Sequence, residues 1–180
     1  MAISDDDRRL VAQARQGDHA AFAALVERRQ ADVAKMMWRF TRDRDEHADL
    51  THEVFVQFYL ALDNYRGDAP VEHYLAGLAN RTGLRFWQKR ARDGKMSPLP
   101  DDLAERPAPP ENNPTSLLFE MLSELNPEER LVLTLTYYED KNAKEIAAQM
   151  RWSHVATRMR LSRARQRLQT IAKKRGVTFN

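Results

Sequence analysis

Apolar residues recur along most of this chain at three- and four-residue spacing, the period of a helix with one buried face. Leu10, Val11 and Ala14 begin the pattern, Phe22, Leu25 and Val26 follow, and Val33, Met36, Met37 and Phe40 continue it. Leu50, Val54, Phe58 and Leu62 mark a long helix with Phe55 beside the stripe, and Tyr74, Leu75, Leu78, Thr82 and Phe86 face one way on another. No stretch alternates with period two for long enough to predict a strand. Polar residues punctuate these runs. Ser4 with Asp7 resembles a capping box, and Gly17-Asp18 supplies a stop followed by a new N-cap. The run from Thr41 to Asp49 is polar and is expected to be a loop, and Tyr65 to Pro70 is a clear breaker.

From Asp93 to Pro114 the texture changes. Gly94, Pro98, Pro100, Pro107, Pro109, Pro110 and Pro114 fall in one acidic, apolar-poor stretch that cannot build a core and reads as an extended linker. Helical patterns then resume with Leu117, Leu118, Met121, Leu122 and Leu125. Asn126-Pro127-Glu128-Glu129 combines an N-cap, Pro at the first helical position and Glu at the third, opening a helix lined by Leu131, Val132, Leu135 and Tyr138. The predicted fold is therefore all-α, with two helical domains joined by a flexible, Pro-rich, acidic linker. The expected boundaries are 1–92, 93–116 and 117–180.

The last stretch carries the clearest chemistry. Asn142 with Glu145 forms a capping box for a short helix whose apolar face is Ile146, Ala147 and Met150. After a break at Arg151–Ser153, Ser153 caps a second helix with a stripe of Leu161, Ala164, Leu168 and Ile171. Around that stripe lie Arg158, Arg160, Arg163, Arg165 and Arg167, and no Asp or Glu occurs from Arg151 to Arg175. This predicts a helix-turn-helix whose second helix enters the DNA major groove, where the arginine fork matches phosphate oxygens and the O6/N7 edge of guanine. A solvated or membrane-surface basic helix shares the charge pattern but not the capped helix before it. The turn lacks the usual Gly, so a positive φ at Arg151 would cost roughly 1–2 kcal/mol.

Charge and composition narrow the rest. The net charge is only +3, yet it is segregated, with Asp93, Asp101, Asp102, Glu105 and Glu111 in the middle and cations at the C-terminal end, as expected for a polyanion partner. Arg81, Arg85, Lys89, Arg90, Arg92 and Lys95 surround Phe86 and Trp87 in a second basic patch, where either the cations track a phosphate backbone and the rings accept unstacked bases, or the rings pack in the core and the cations cap a helix C-terminus. The absence of cysteine excludes disulfides, thiolate metal sites and a Cys nucleophile. No apolar run approaches the ~20 residues of a membrane span, and no signal-like core precedes the first helix, so no membrane insertion and a cytoplasmic location are expected. His47 and His52 are five apart, which does not match HExxH, and neither a Gly-rich phosphate loop nor GxSxG is present. No catalytic residue, metal or cofactor is expected.

Several motifs in order resemble a bacterial sigma factor of the extracytoplasmic-function (ECF) group over almost the whole length. Gly17-Asp18, Ala21-Phe22 and Leu25 resemble the family's opening. Ala48-Asp49-Leu50 with Glu53-Val54-Phe55 is similar to its polymerase-docking segment, and Asp63, Tyr65-Arg66-Gly67-Asp68 and Leu75 to its promoter-opening segment. Leu125 to Arg130, Glu145-Ile146-Ala147 and Arg160-Leu161-Ser162-Arg163-Ala164-Arg165 resemble its second domain. Departures are His52 for Gln, Tyr74 for Trp, an inverted Asn80-Arg81, Arg151 for the turn Gly, and Val155-Ala156-Thr157 for Gly-Thr-Val.

The resemblance implies a subunit that binds core RNA polymerase and directs it to promoter DNA, with an anti-sigma factor as a further partner. On that basis Asp49, His52 and Glu53 would meet polymerase. Asp63, Tyr65 and Arg66 would hold an unstacked base of the minus-10 element, with Tyr65 stacking, and Arg81, Arg85, Trp87 and Lys89 would assist melting. Arg158, Met159, Ser162 and Arg163 would read the minus-35 element, while Arg160, Arg165 and Arg167 would serve phosphate or structural contacts. Two rivals are a two-domain helix-turn-helix regulator acting without polymerase and a sigma-like protein that has lost promoter recognition.

Overall fold

A computed structural model describes residues 5–65, 67, 69–94 and 114–177 as an all-helical protein. Its elements are α1 (Asp5–Arg15), α2 (His19–Met37), α3 (Arg44–Leu60), a 3-10 turn (Leu62–Asn64), α4 (Val71–Arg92), α5 (Pro114–Ser123), α6 (Pro127–Tyr137), α7 (Ala143–Met150) and α8 (His154–Lys174). The chain separates into two compact units, Met1–Gly83 and Leu84–Asn180, so the continuous helix α4 passes through the boundary. Most of the expected linker, residues 95–113, lies outside the described residues.

In the first unit, α1 packs on α2 and α2 on α3. The core is built from the anticipated stripes, with Leu25, Val33, Met37, Val54, Phe58 and Leu75 essentially inaccessible. Asp18 caps α2 through the amides of Ala20 and Ala21 at 2.9 and 3.0 Å, after Gly17 turns the chain at φ 89°. The expectation of a loop from Thr41 to Asp49 is corrected. Asp43 accepts hydrogen bonds from the amides of Asp45 and Glu46 and starts α3 at Arg44, leaving only three residues irregular. Asp45 and Glu46 then suit the positive end of the helix dipole, so this polar run is a well-capped helix start.

Ser4 lies outside the described residues, but Asp7 can be assigned. Its fully buried carboxylate pairs with Arg29 on α2, whose guanidinium also binds Glu72 on α4. Burial pulls the Arg29 pKa down, but the hydrogen bond and charge of Asp7, then Glu72 and Asp32, outweigh it and hold the group above its ordinary value. Two further contacts tie this unit. Arg39 donates to the Asn80 side chain at 3.2 Å, with both residues buried. The His47 ring stacks on Trp38 at 3.8 Å while its Nε2 lies 2.8 Å from the carbonyl of Ala34.

In the second unit, α8 packs on α5, α6 and α7. Both predicted capping boxes form, at Asn126/Glu129 and Asn142/Glu145. Every residue from Glu129 to Leu135 is buried, making α6 the centre of this unit. Arg151 takes the left-handed conformation (φ 57°, ψ 36°), and the Trp152 amide donates back to Ala147 O at 2.9 Å. The helix-turn-helix therefore closes by the usual left-handed turn, with arginine in the position glycine favours. At the far end of α8, Arg175 binds Glu120 of α5 and Glu124 just past its end, and these hydrogen bonds raise its pKa.

Candidate nucleic-acid interface

Helix α8 buries Thr157, Leu161, Ala164, Ile171 and Ala172, with Leu168 half-buried. Ser153 holds its start by accepting from the Ala156 amide at 3.1 Å. The opposite side of its first three turns exposes Val155, Met159, Ser162, Arg163 and Gln166. Its arginines sort into two sets. Arg160 is engaged internally, donating from Nε to Glu128 at 2.6 Å and lying 4.3 Å from the centre of the Trp152 ring. Arg165 donates to the Tyr137 hydroxyl at 2.8 Å, and Arg167 pairs with Glu129 at 3.7 Å. Arg158 and Arg163 are exposed and make no ion pair among the described residues. The side chains freest to reach a ligand thus sit on the outward face, while the flanking arginines tie α8 to α6 and to the turn. A shallow cleft of about 500 Å³ beside this face is lined by His154, Arg158, Ser162, Arg165, Gln166 and Gln169, with Ala143 and Leu161 at its floor, and no carboxylate is in it.

On α3, Asp49 and His52 are exposed and Glu53 is half-buried, donated to by Gln57 at 2.8 Å. Val56 and Leu60 continue the Asp49–Glu53 row at successive helical turns, and both are exposed, Leu60 by 68%. Sequence reading missed these two apolar residues. Helical phase could have found them, because neither belongs to the buried Leu50–Val54–Phe58 stripe. Tyr59, also exposed, packs edge-on against Phe22 at 5.0 Å.

The proposed base-stacking surface is corrected. Tyr65 is only 5% exposed, packs edge-on against Tyr74 at 5.1 Å and Phe58 at 6.2 Å, and donates its hydroxyl to Ala69 O. It shapes the loop from within and presents no open ring to a base. Asp63 and Asn64 are the exposed residues of the preceding turn, and Arg66 lies outside the described residues. For Trp87 the packed alternative is the one seen. It is 3% exposed and faces the Arg130 guanidinium at 4.2 Å, and burial pushes the pKa of Arg130 down to about 9. Arg81 is half-buried, Arg85 and Lys89 are exposed, and the three recur every fourth residue along α4. Phe86 is half-buried under Arg90 at 5.4 Å.

Two family models match the chain in the order these surfaces occur: Sigma-70 region 2 over residues 25–93 and Sigma-70, region 4 over residues 121–170. The chain belongs to the sigma-70 family, in its ECF group. It is similar to the RNA polymerase sigma-H factor of Pseudomonas aeruginosa, at 27% identity over 92% of this chain and 93% of that protein. It is likewise similar to the ECF RNA polymerase sigma-E factor of Escherichia coli, at 29% identity over 89% and 91%. The fold also matches CnrH in its complex with the cytosolic domain of CnrY, with a TM-score of 0.59, 24% identity and coverage of 94% and 99%. This sigma factor directs RNA polymerase to promoters. The region 2 match sets aside a regulator that works without polymerase. No helix among the described residues is long and apolar enough to cross a membrane.

Proposed function

We propose that this sigma factor docks on core polymerase through one side of α3 and reads the minus-35 element through the outward face of α8. In this reading residues 1–92 carry polymerase binding and minus-10 melting, 93–116 link, and 117–180 carry upstream recognition. Asp49, His52 and Glu53 form the polar part of the docking surface, and Val56 and Leu60 supply the apolar part that polar residues alone lack. Arg158, Met159, Ser162 and Arg163 contact bases. Arg165 and Arg167 reach phosphates by exchanging their protein partners, and Arg160 holds the turn against α6. Asp63, Asn64 and Arg66 hold the extruded minus-10 base, with Tyr65 packed as a support of the preceding turn, while Arg81, Arg85 and Lys89 attract the opened strand.

The observation that carries this reading is the sorting of the α8 arginines, with Arg158 and Arg163 left outward on an acid-free face. The protein works in the cytoplasm, as polymerase does, without catalytic chemistry of its own, and an anti-sigma factor controls its access to polymerase. Run-off transcription with purified core enzyme on a genomic promoter library tests the reading. Wild-type protein should give discrete start sites. Asp49→Arg with Leu60→Asp should retain the helical spectrum and melting temperature but fail to co-purify with core. Wild-type affinity for core in that folded variant would move the docking surface off α3.

A further inference from the structure

We propose that Val155 and Met159 form a thymine-methyl reader at the tip of α8, a specificity element that rests on the minus-35 reading above. Val155 is 68% and Met159 50% exposed, unusual for apolar side chains on a helix whose other exposed residues are polar or charged. They lie four residues apart, hence on one side and about one turn apart, roughly 6 Å along the axis. That separation spans one to two base steps of 3.4 Å. Both sit within the first two turns after the Ser153 cap, the part of a recognition helix that enters deepest into the major groove.

The surroundings select DNA as the occupant. Arg158 and Arg163 flank the pair, Ser162 lies beside it, and no carboxylate occurs from Arg151 to Arg175. A polyanion is attracted to this face, and an acidic groove wall would meet the cations on either side. Within the major groove, the C5-methyl of thymine is the apolar group that base pairs present, and contact with it distinguishes T·A from every other pair. Two apolar side chains framed by two arginines therefore suit an element in which guanines adjoin one or two thymines. Val155 stands where the family usually has Gly, so this preference belongs to this chain's own face.

Holoenzyme reconstituted with core polymerase is used to select duplexes randomised across the minus-35 element, and each thymine of the best sequence is then replaced by uracil, which removes only the methyl group. Wild-type holoenzyme should lose about fourfold in affinity at one or two positions, the effect of one methyl withdrawn from an apolar contact. With Val155→Ala and Met159→Ala together, thymine and uracil should bind alike at those positions, while the guanine preference set by Arg163 persists. Equal binding of uracil and thymine by the wild type at every position would overturn the proposal and leave the sigma reading intact. The apolar pair would then face a protein partner. Failure of holoenzyme to enrich any sequence would overturn both.

Discussion

Gly83 lies inside α4, where alanine would ordinarily strengthen a helix by about 1 kcal/mol. Here a Cβ would fall 2.3 Å from the buried Phe40 ring, well inside contact distance. Overpacking against a ring with nowhere to move outweighs helix propensity, so Gly83→Ala should destabilise the protein by about 1–3 kcal/mol. Urea unfolding would read this directly, and a stabilised variant would mean the Phe40 ring can shift away from α4. The opposite case is Arg151, a non-glycine residue at φ 57°. Arg151→Gly relieves left-handed strain and should raise stability by about 1 kcal/mol. A fall in the melting temperature would show that the Arg151 side chain makes a contact worth more than its strain. Arg151 was legible beforehand because a short break between two capped helices demands a left-handed residue. Phe40 against Gly83 was not, since no local pattern announces which distant ring a glycine makes room for.

Among the elements, α8 divides labour in a way that spacing alone does not disclose. Five arginines in ten residues look equivalent until Glu128, Trp152, Tyr137 and Glu129 take three of them. Arg160→Ala should lower stability by about 1–2 kcal/mol, because a half-exposed ion pair and a cation–π contact are lost together. Arg163→Ala should leave stability unchanged and instead relax one or two minus-35 positions, a loss of about 1–3 kcal/mol in discrimination. Thermal melts and binding to a single-substitution promoter panel separate the two, and a uniform affinity loss for Arg163→Ala would make it a phosphate contact. Helix starts, caps and stripes were readable because each is set by residues within a turn of one another. The burial of Tyr65, and the choice between core and ligand for Trp87, were not legible locally, because burial of an aromatic depends on long-range partners, here Tyr74, Phe58 and Arg130. The polar start of α3 was misread because its Asp43 cap sits inside a run of charges that resembles a loop.

For the whole molecule, the modest net charge conceals segregation along the sequence, an acidic segment followed by a basic helix. Binding of holoenzyme to promoter should weaken steeply with salt as counterions are released. Lys173, exposed near the end of α8, should contribute to that dependence and not to sequence choice. Lys173→Ala should lower the salt slope by about one and weaken all promoters alike. Binding at two salt concentrations measures it, and an unchanged slope would place Lys173 outside the DNA path.

The three tryptophans each lie against a cation: Trp38 beside Arg42 and the His47 ring, Trp87 under Arg130, and Trp152 under Arg160. A positive charge held over an indole shifts the wavelength of its emission through the field it places on the ring, so intrinsic fluorescence reports on these three places without any attached dye. Trp38 watches the loop before α3, Trp87 the end of α4, and Trp152 the turn of the helix-turn-helix. Whatever draws Arg160 away from its ring would register as light, giving the protein a built-in optical readout of the junction that aims its recognition helix.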